Sequence, residues 1–254
     1  MINRYLLQVI IICVVLMTAA CERNLPDVSA PLPLMTSRES SSSAQTDKAS
    51  LMPETEEAES EPEPISPAAS EDWRLILVNA SNPIPDDFTV ELEMTRYGYE
   101  VDKRIVPTLE EMVQTAEQEG VNLLLCYGYR TLAQSQQLFE KQINRQMALG
   151  LSYDEAVLAA AKWVAPPGYS EHHTGLAVDI VTLSNQVLSE AFAQTDAAKW
   201  MAANAHRFGF VIRYPKDKQE ITGIAYEPWH LRYVGDQAAQ YMYENNLCLE
   251  EYLD

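Results

Sequence analysis

The segment PGYSEHHTGLAVDI, residues 167–180, places two histidines and an aspartate around one glycine. His172 and Asp179 are seven residues apart, an odd separation that would put them on opposite faces of one straight strand. Both side chains reach one ion only if the chain turns between them, and Gly175 permits such a turn. Small Ala177 lets the backbone pass close to the site. The segment therefore predicts a turn followed by a strand, with a metal ligand on each.

A second segment, YEPWHLRY at residues 226–233, contains a third histidine, so the two segments hold three of the chain's four. His230 would complete a His-Asp-His set from a distant strand and leave one coordination position for water. Catalytic zinc sites have this open coordination, whereas structural zinc usually has four protein ligands, mostly cysteine. Two imidazoles and one carboxylate favour zinc over magnesium or calcium, which prefer oxygen ligands.

Glu227 precedes His230 by three residues and indicates how such a site would react. A carboxylate beside a metal-activated water can take the water's proton and later pass it to a leaving amine. With Asp179 as the only anionic ligand, the ion would keep a net positive charge, which suits it to polarise a carbonyl and stabilise an oxyanion.

The two motifs, Ser-x-His-x-x-Gly-x-Ala-x-Asp and Glu-Pro-Trp-His-x-Arg, resemble those of the VanY-type zinc D-alanyl-D-alanine carboxypeptidases. These enzymes are relatives of VanX and share the hedgehog-like zinc fold. Further similar runs lie at residues 98–102, 127–131, 207–210 and 213–215, so the resemblance covers most of residues 73–245.

The resemblance implies a role for each motif residue. The implied zinc ligands are His172, Asp179 and His230. Glu227 would be the catalytic base, and Arg130 would steady either the tetrahedral oxyanion or the substrate carboxylate, since a bidentate donor suits both. Ser170 and Trp229 would line the substrate pocket.

The helix after Arg130 departs from the related enzymes. Related L,D-carboxypeptidases and some D,D-enzymes often have a glutamine five residues after this arginine, whereas this chain has Ser135 between Gln134 and Gln136. The resemblance therefore assigns no substrate contact to this helix.

Elsewhere in residues 71–254 the sequence predicts helices and short strands at uneven spacing. This pattern favours an α+β domain of the hedgehog and D,D-peptidase type, with a mainly antiparallel central sheet flanked by helices and one zinc site. The predicted strands are Trp73–Asn79, Val121–Tyr127 and Phe210–Arg213. The predicted helices are Pro107–Glu119, Thr131–Leu149, a helix that begins at Ser152 with a capping box and ends before Pro166, and Asp196–Arg207.

Several residues near the motifs have simpler explanations. We interpret His206 as a satisfied structural histidine, and His173 as a hydrogen-bonding or surface residue that points away from the metal. Tyr127 and Tyr129 are expected to pack in the core. Arg232, two residues after His230, is either a partner of the site or a plain ion pair.

The N-terminus is typical of an export signal. Residues 1–20 contain Arg4, the apolar run Leu6–Met17 and small residues before Cys21, which resembles a bacterial lipoprotein signal cleaved to leave Cys21 to carry the lipid. An uncleaved anchor or a plain secretory signal is the alternative. Each version places the rest of the chain outside the cytoplasm.

Residues 21–70 are rich in serine, proline and glutamate and carry ten acidic and three basic side chains. We expect a disordered acidic tether, because so polar a segment cannot bury enough apolar surface to offset its ordering entropy. It would hold the catalytic domain, residues 71–254, away from the membrane.

The net charge of −19, with a pI of about 4.5, excludes nucleic acid as the main partner. Of the four cysteines, Cys13 would leave with the signal and Cys21 would carry the lipid. The other two, Cys126 and Cys248, lie in the folded part and are equally compatible with a disulfide and with free thiols.

The combined expectation is a zinc peptidase, anchored to the cell membrane by lipid, that removes the terminal D-alanine from peptidoglycan stem peptides. The rivals are an L,D-carboxypeptidase or peptidoglycan endopeptidase with the same metal site, and a non-catalytic zinc-stabilised binding module. Glu227 argues against the last, because a structural zinc has no use for a base beside an open position.

Overall fold

Four antiparallel strands form the central sheet of the structure, a computed structural model that describes residues 72–254. In sheet order they are β3 (Leu124–Tyr127), β4 (Ala177–Val181), β6 (Glu227–Tyr233) and β5 (Phe210–Tyr214). A separate hairpin pairs β1 (Leu92–Met94) with β2 (Glu100–Asp102). The prediction of an α+β domain with an antiparallel sheet is confirmed. The predictions for residues 1–20, Cys21 and residues 21–70 lie outside the described residues.

Seven α-helices accompany the sheet in residues 72–254. They are α1 (Val106–Gln118), α2 (Leu132–Ala148), α3 (Tyr153–Ala161), α4 (Asp196–Asn204), α5 (Gln219–Thr222), α6 (Asp236–Asn245) and α7 (Leu249–Leu253). The first four match the predicted helices to within a few residues. Capping boxes at Thr131 and Ser152 begin α2 and α3, because each side chain accepts a hydrogen bond from the third helical N–H. The sequence prediction missed α5 to α7 and the β1–β2 hairpin; of these, α5, α7 and the two strands have only three to five residues.

The predicted strand Trp73–Asn79 is wrong. Trp73–Leu75 is a 3₁₀ turn, capped by the Asp72 carboxylate, which accepts from the backbone N–H of Arg74. The carbonyls of Arg74 and Ile76 then accept hydrogen bonds from Nη2 of Arg232, at 2.9 and 2.7 Å. A side chain therefore takes the place of a neighbouring strand, which an apolar sequence pattern cannot reveal.

The main core lies between the sheet and helices α1 and α4. Its fully buried members include Leu109 and Met112 of α1, which pack with Val178 of β4 and Leu231 of β6. Strand β4 is buried along its whole length, so both of its faces are covered. Asp179 thus lies on an interior strand of the sheet that is buried on both faces.

Helices α2 and α3 form a second, smaller packing unit. Phe139 and Ile143 of α2 contact Ala156 and Ala160 of α3 in a cluster separate from the main core. This contact uses one face of α2.

Within residues 72–254, no helix has both the length and the apolar character to cross a membrane. No disulfide joins Cys126 and Cys248, and the Cys126 thiol instead donates to the carbonyl of Asp179 at 3.4 Å.

Candidate metal centre

Strand register brings two of the predicted ligands together. Asp179 on β4 is directly opposite His230 on β6, so the two side chains leave the sheet on the same face. His230 Nδ1 lies 3.1 Å from Asp179 Oδ1, and His172 Nε2 lies 3.5 Å from Asp179 Oδ2. One potential ligand atom from each of the three residues lies within 4.8 Å of the others. The predicted His-Asp-His set therefore meets at one point.

The turn between His172 and Asp179 occurs where the sequence predicts it. His172 lies in a 3₁₀ turn, Glu171–Thr174, which ends at Gly175 with φ of +73°. The carbonyl of Gly175 accepts from the N–H of Asp102, and a Cβ atom at Gly175 would lie 2.7 Å from that nitrogen. Both the left-handed conformation and the close approach of the β2 backbone require glycine here.

The outer nitrogen of each histidine ring faces an oxygen of the protein, through a hydrogen bond in His172 and at a longer distance in His230. Nδ1 of His172 donates to the carbonyl of Gly128 at 2.8 Å, which leaves Nε2 free to bind a metal. His230 has the opposite orientation: its Nδ1 faces Asp179 and its Nε2 lies 3.8 Å from Glu171 Oε2. Such outer partners fix the tautomer and angle of metal-binding imidazoles.

The donor set fits a divalent zinc ion. Asp179 Oδ1 is buried and has no hydrogen-bond partner in residues 72–254, which is costly for a carboxylate oxygen unless a cation satisfies it. Two imidazole nitrogens and one carboxylate are ligands that zinc favours, and three protein ligands leave a coordination position open.

The charge state of the ligands depends on their surroundings. Burial, helped by the nearby Arg130 charge, lowers the pKa of His172 to about 4, so this ring is neutral and ready to bind a metal. Burial opposes ionisation of Asp179, but the two histidines hold its pKa well below the ordinary value. For His230, the neighbouring carboxylates of Asp179 and Glu171 outweigh burial and raise its pKa to about 9. A metal must therefore displace a proton from His230.

Glu227, the predicted base, lies beside the ligands. Its Oε2 is 3.6 Å from His230 Nδ1, and the side chain is only 10% exposed. Burial raises the pKa of Glu227 to about 8, and the Asp179 charge acts in the same direction. A bound dication favours the ionised carboxylate and would lower this pKa.

Arg130 lies at the site without a carboxylate partner among the described residues. Its Nε is buried and unpaired, and its guanidinium lies 4.6 Å from the centre of the Tyr127 ring. The backbone N–H of Arg130 donates to the carbonyl of His172, so the two residues are positioned together. An unpaired buried cation is suited to bind an anion.

A cavity of about 480 Å³ opens over the metal ligands. Ser170 and Trp229 line it, as the resemblance implies, and Arg130 does too. Tyr127, which was expected to pack in the core, is half-buried and also lines the cavity. Tyr214 was missed: its ring centre lies 4.9 Å from that of His230. A similar run, Arg213-Tyr214-Pro215, was the only sequence signal for it.

The two remaining histidines differ from each other. His173 is buried, donates from Nδ1 to the carbonyl of Arg130 at 2.7 Å and accepts from the N–H of Gly168 at 3.2 Å. The hydrogen-bonding alternative for His173 is therefore confirmed, and the surface alternative is wrong. His206 stacks on Tyr243 at 3.7 Å, but its buried Nδ1 has no hydrogen-bond partner in residues 72–254, so the expectation of a satisfied residue is only partly met.

A buried ion cluster lies behind His230, and sequence reasoning missed its central residue, Glu171. Oε1 of Glu171 accepts from Arg213 Nε at 2.8 Å and from Arg232 Nη1 at 2.7 Å. The other N–H groups of Arg213 bind both oxygens of Glu250. Both alternatives for Arg232 therefore hold. It forms an ion pair with Glu171, and through Glu171, which lies 3.8 Å from His230, it supports the predicted metal site.

Comparison with known proteins gives a consistent result. The sequence pattern of the VanY family, described as D-alanyl-D-alanine carboxypeptidase, matches residues 98–236. The D-alanyl-D-alanine carboxypeptidase of Enterococcus faecalis strain V583 is 44% identical over 184 residues, which are 72% of this chain and 67% of that protein.

Solved structures agree. A crystal structure of a vancomycin-resistance VanY D,D-pentapeptidase from a VanB-type cassette, in complex with Zn(II), is 44% identical with a TM-score of 0.66. The match covers 72% of this chain and all of that one. A structure of VanYB in complex with D-alanine-D-alanine is 43% identical with a TM-score of 0.65, covering 72% of this chain and 98% of that one. The expected hedgehog and D,D-peptidase type of fold is confirmed.

Proposed function

The chain belongs to the VanY family of D-alanyl-D-alanine carboxypeptidases, and from this premise we propose that it removes the terminal D-alanine of peptidoglycan stem peptides with a zinc ion held by His172, Asp179 and His230. The observation that carries the proposal is the open three-ligand centre, with Glu227 beside it, at the base of a cavity lined by Arg130.

The chain's own residues account for most of the reaction. Bound zinc supplies a Lewis acid that activates water near neutral pH and polarises the scissile carbonyl. Glu227 takes the proton of the attacking water and delivers it to the nitrogen of the departing D-alanine. Arg130 offers N–H donors to an anionic oxygen, either the developing oxyanion or the terminal carboxylate. Ser170 and Trp229 shape the wall that positions the peptide.

The test is product analysis on purified residues 71–254 loaded with zinc. A pentapeptide ending in D-Ala-D-Ala should release one D-alanine, and the matching tetrapeptide, which lacks that bond, should remain intact. Glu227→Ala should bind zinc normally but release D-alanine at least about 100-fold more slowly, as expected for loss of a general base. Equal rates for Glu227→Ala and wild type would refute the proposed mechanism, and cleavage of only the tetrapeptide would identify an L,D-carboxypeptidase.

We also propose that the enzyme works outside the cytoplasm on a lipid anchor. The support is the sequence alone: an apolar run that ends at small residues before Cys21, followed by an acidic, proline-rich tether. Metabolic labelling with a fatty acid should mark the full-length chain and fail to mark Cys21→Ser. Equal labelling of both forms would contradict the anchor while leaving the catalytic proposal intact.

A further inference from the structure

Basic side chains without an acidic partner are concentrated in the cavity. Of the 14 lysines and arginines in residues 72–254, eight lie within 4.0 Å of a carboxylate oxygen. Three of the other six, Arg130, Lys141 and Arg145, line the cavity over the metal centre. Residues 71–254 carry 27 acidic side chains and only 14 basic ones, and half of the six basic ones without an acidic partner line this one cavity.

The acidic residues of the cavity are confined to the metal centre. Asp179 and Glu227 are the acidic side chains of its lining, and both lie at the metal centre. Away from that centre, every charged residue of the wall is positive. A cleft lined by positive side chains attracts a negatively charged ligand. The acidic surface around the cleft repels the same ligand.

The placement of Lys141 and Arg145 follows from the geometry of α2. Together with Leu138 and Gln142 they occupy positions spaced by three and four residues, which form one stripe along a helix. A different stripe of α2, containing Phe139 and Ile143, packs on α3. The buried stripe anchors the helix, and the cationic stripe faces the cavity.

Lys141 and Arg145 lie further along α2 than Arg130, which precedes the helix. Helix α2 begins at Leu132 and rises about 1.5 Å per residue, so the backbone at Lys141 lies about 14 Å along it and that at Arg145 about 20 Å. A single carboxylate spans only about 2 Å between its oxygens and accepts donors at about 2.8 Å. Cations spread over this length of the cavity wall fit a ligand that carries more than one negative group.

We propose that Lys141 and Arg145 form a second anion-binding subsite, which holds a carboxylate of the peptide substrate upstream of the scissile bond. This inference rests on the proposed function. In stem peptides the γ-linked D-glutamyl residue carries such a carboxylate, either free or converted to an amide. The enzyme should therefore discriminate between acidic and amidated stem peptides at a residue remote from the chemistry.

The experiment compares two synthetic pentapeptides that end in D-Ala-D-Ala and differ only at this group, a carboxylate in one and a carboxamide in the other. Wild-type enzyme should cleave the carboxylate peptide with a kcat/KM about three- to tenfold higher, the effect expected of two solvent-exposed charge interactions. The difference should lie in KM, since the subsite binds ground state and transition state alike. Added salt should reduce it.

The variant Lys141→Gln/Arg145→Gln should lose this preference by slowing on the carboxylate peptide alone, with its rate on the carboxamide peptide unchanged. Lys199→Gln is the control, because Lys199 is also exposed and has no carboxylate partner in residues 72–254, but does not line the cavity. The control should keep the full preference. Equal cleavage of both peptides by wild type, or an unchanged preference in the double variant, would overturn the subsite and leave the proposed function standing. Failure to cleave either peptide would instead count against both.

Discussion

Two buried arginines within one domain show how differently the protein treats charge in its active centre and in the ion cluster behind it. Arg213 is 1% exposed, and each of its N–H-bearing nitrogens donates to a carboxylate of Glu171 or Glu250. Arg130 is 8% exposed, lies over Tyr127, and has a buried Nε without a partner in residues 72–254. One cation is fully paired within the protein, and the other is left for a ligand.

The same contrast holds for the acids. Glu171 Oε1 accepts hydrogen bonds from two arginines and only its Oε2, which faces His230, is unpaired, whereas Asp179 Oδ1 has no hydrogen-bond partner in the described part of the chain and no arginine bonds to Asp179. Satisfied buried charges hold a structure in one geometry, and unsatisfied ones are retained where function requires them. The ion cluster thus acts as the fixed support of a reactive centre, and each variant below tests one side of that division.

The largest expected effect is on folding, from Arg213→Met. The methionine fills similar volume but leaves Glu250 and one side of Glu171 as uncompensated buried charges, so the free energy of unfolding should fall by about 3–5 kcal/mol. Urea unfolding of the metal-free protein measures this. Lys199→Met, an exposed control, should change stability by less than about 0.5 kcal/mol. A loss below about 1 kcal/mol in Arg213→Met would show that the cluster is not the support of the fold.

Arg130→Met should have the opposite profile. Its charge is not paired with a carboxylate among the described residues, so stability should change little, while kcat/KM for the D-Ala-D-Ala pentapeptide should fall about 100- to 1000-fold, as for loss of a donor to an oxyanion. A lower kcat would assign Arg130 to the oxyanion. A higher KM with unchanged kcat would assign it to the terminal carboxylate. Strong destabilisation with unimpaired turnover would erase the distinction between the two arginines.

Glu171→Gln tests the link between the two regions. The amide keeps the shape of Glu171 but weakens its interaction with His230 Nε2, 3.8 Å away, so zinc affinity should fall about 10- to 100-fold. Competition with a chelator measures the affinity independently of turnover. Glu250→Gln removes a charge from the same cluster without touching His230 and should leave zinc affinity unchanged. Equal affinities for both variants and wild type would mean that the cluster supports the fold but not the metal.

The smallest expected effect is the acid sensitivity contributed by Glu250. Burial raises the pKa of Glu250, but hydrogen bonds and the charge of Arg213 outweigh this and lower it below the ordinary value. A group with a lowered folded pKa contributes stability above its unfolded pKa, near 4.3, and loses it as the pH falls through the folded pKa. The stability gap between wild type and Glu250→Gln should therefore be constant above about pH 5.5 and narrow as the pH falls below about 4. If the stability difference between wild type and Glu250→Gln grew as the pH fell, the pKa of Glu250 would be raised in the folded protein rather than lowered.

The sequence was a good guide where local rules operate. The capping box at Ser152, the proline in the first turn of α1 and the glycine at residue 175 each depend on neighbours within a few positions, and the predicted elements appear there. It misled at residues 73–79, because the hydrogen bonds of that segment go to Arg232, more than 150 residues away. It likewise missed Glu171, whose partners Arg213 and Arg232 lie 42 and 61 residues further along the chain.

The spacing and type of the motif residues were enough to predict a three-ligand zinc centre with a glutamate base, because metal coordination demands particular donors and few other arrangements use them. Which buried charges are paired and which are left open was decided only by the tertiary structure. Pairing depends on the register of β4 against β6 and on how α2 and α7 pack, and both are set by long-range burial rather than by neighbouring residues. For that reason the unpaired cations of the cavity, Arg130, Lys141 and Arg145, are visible only in the folded protein.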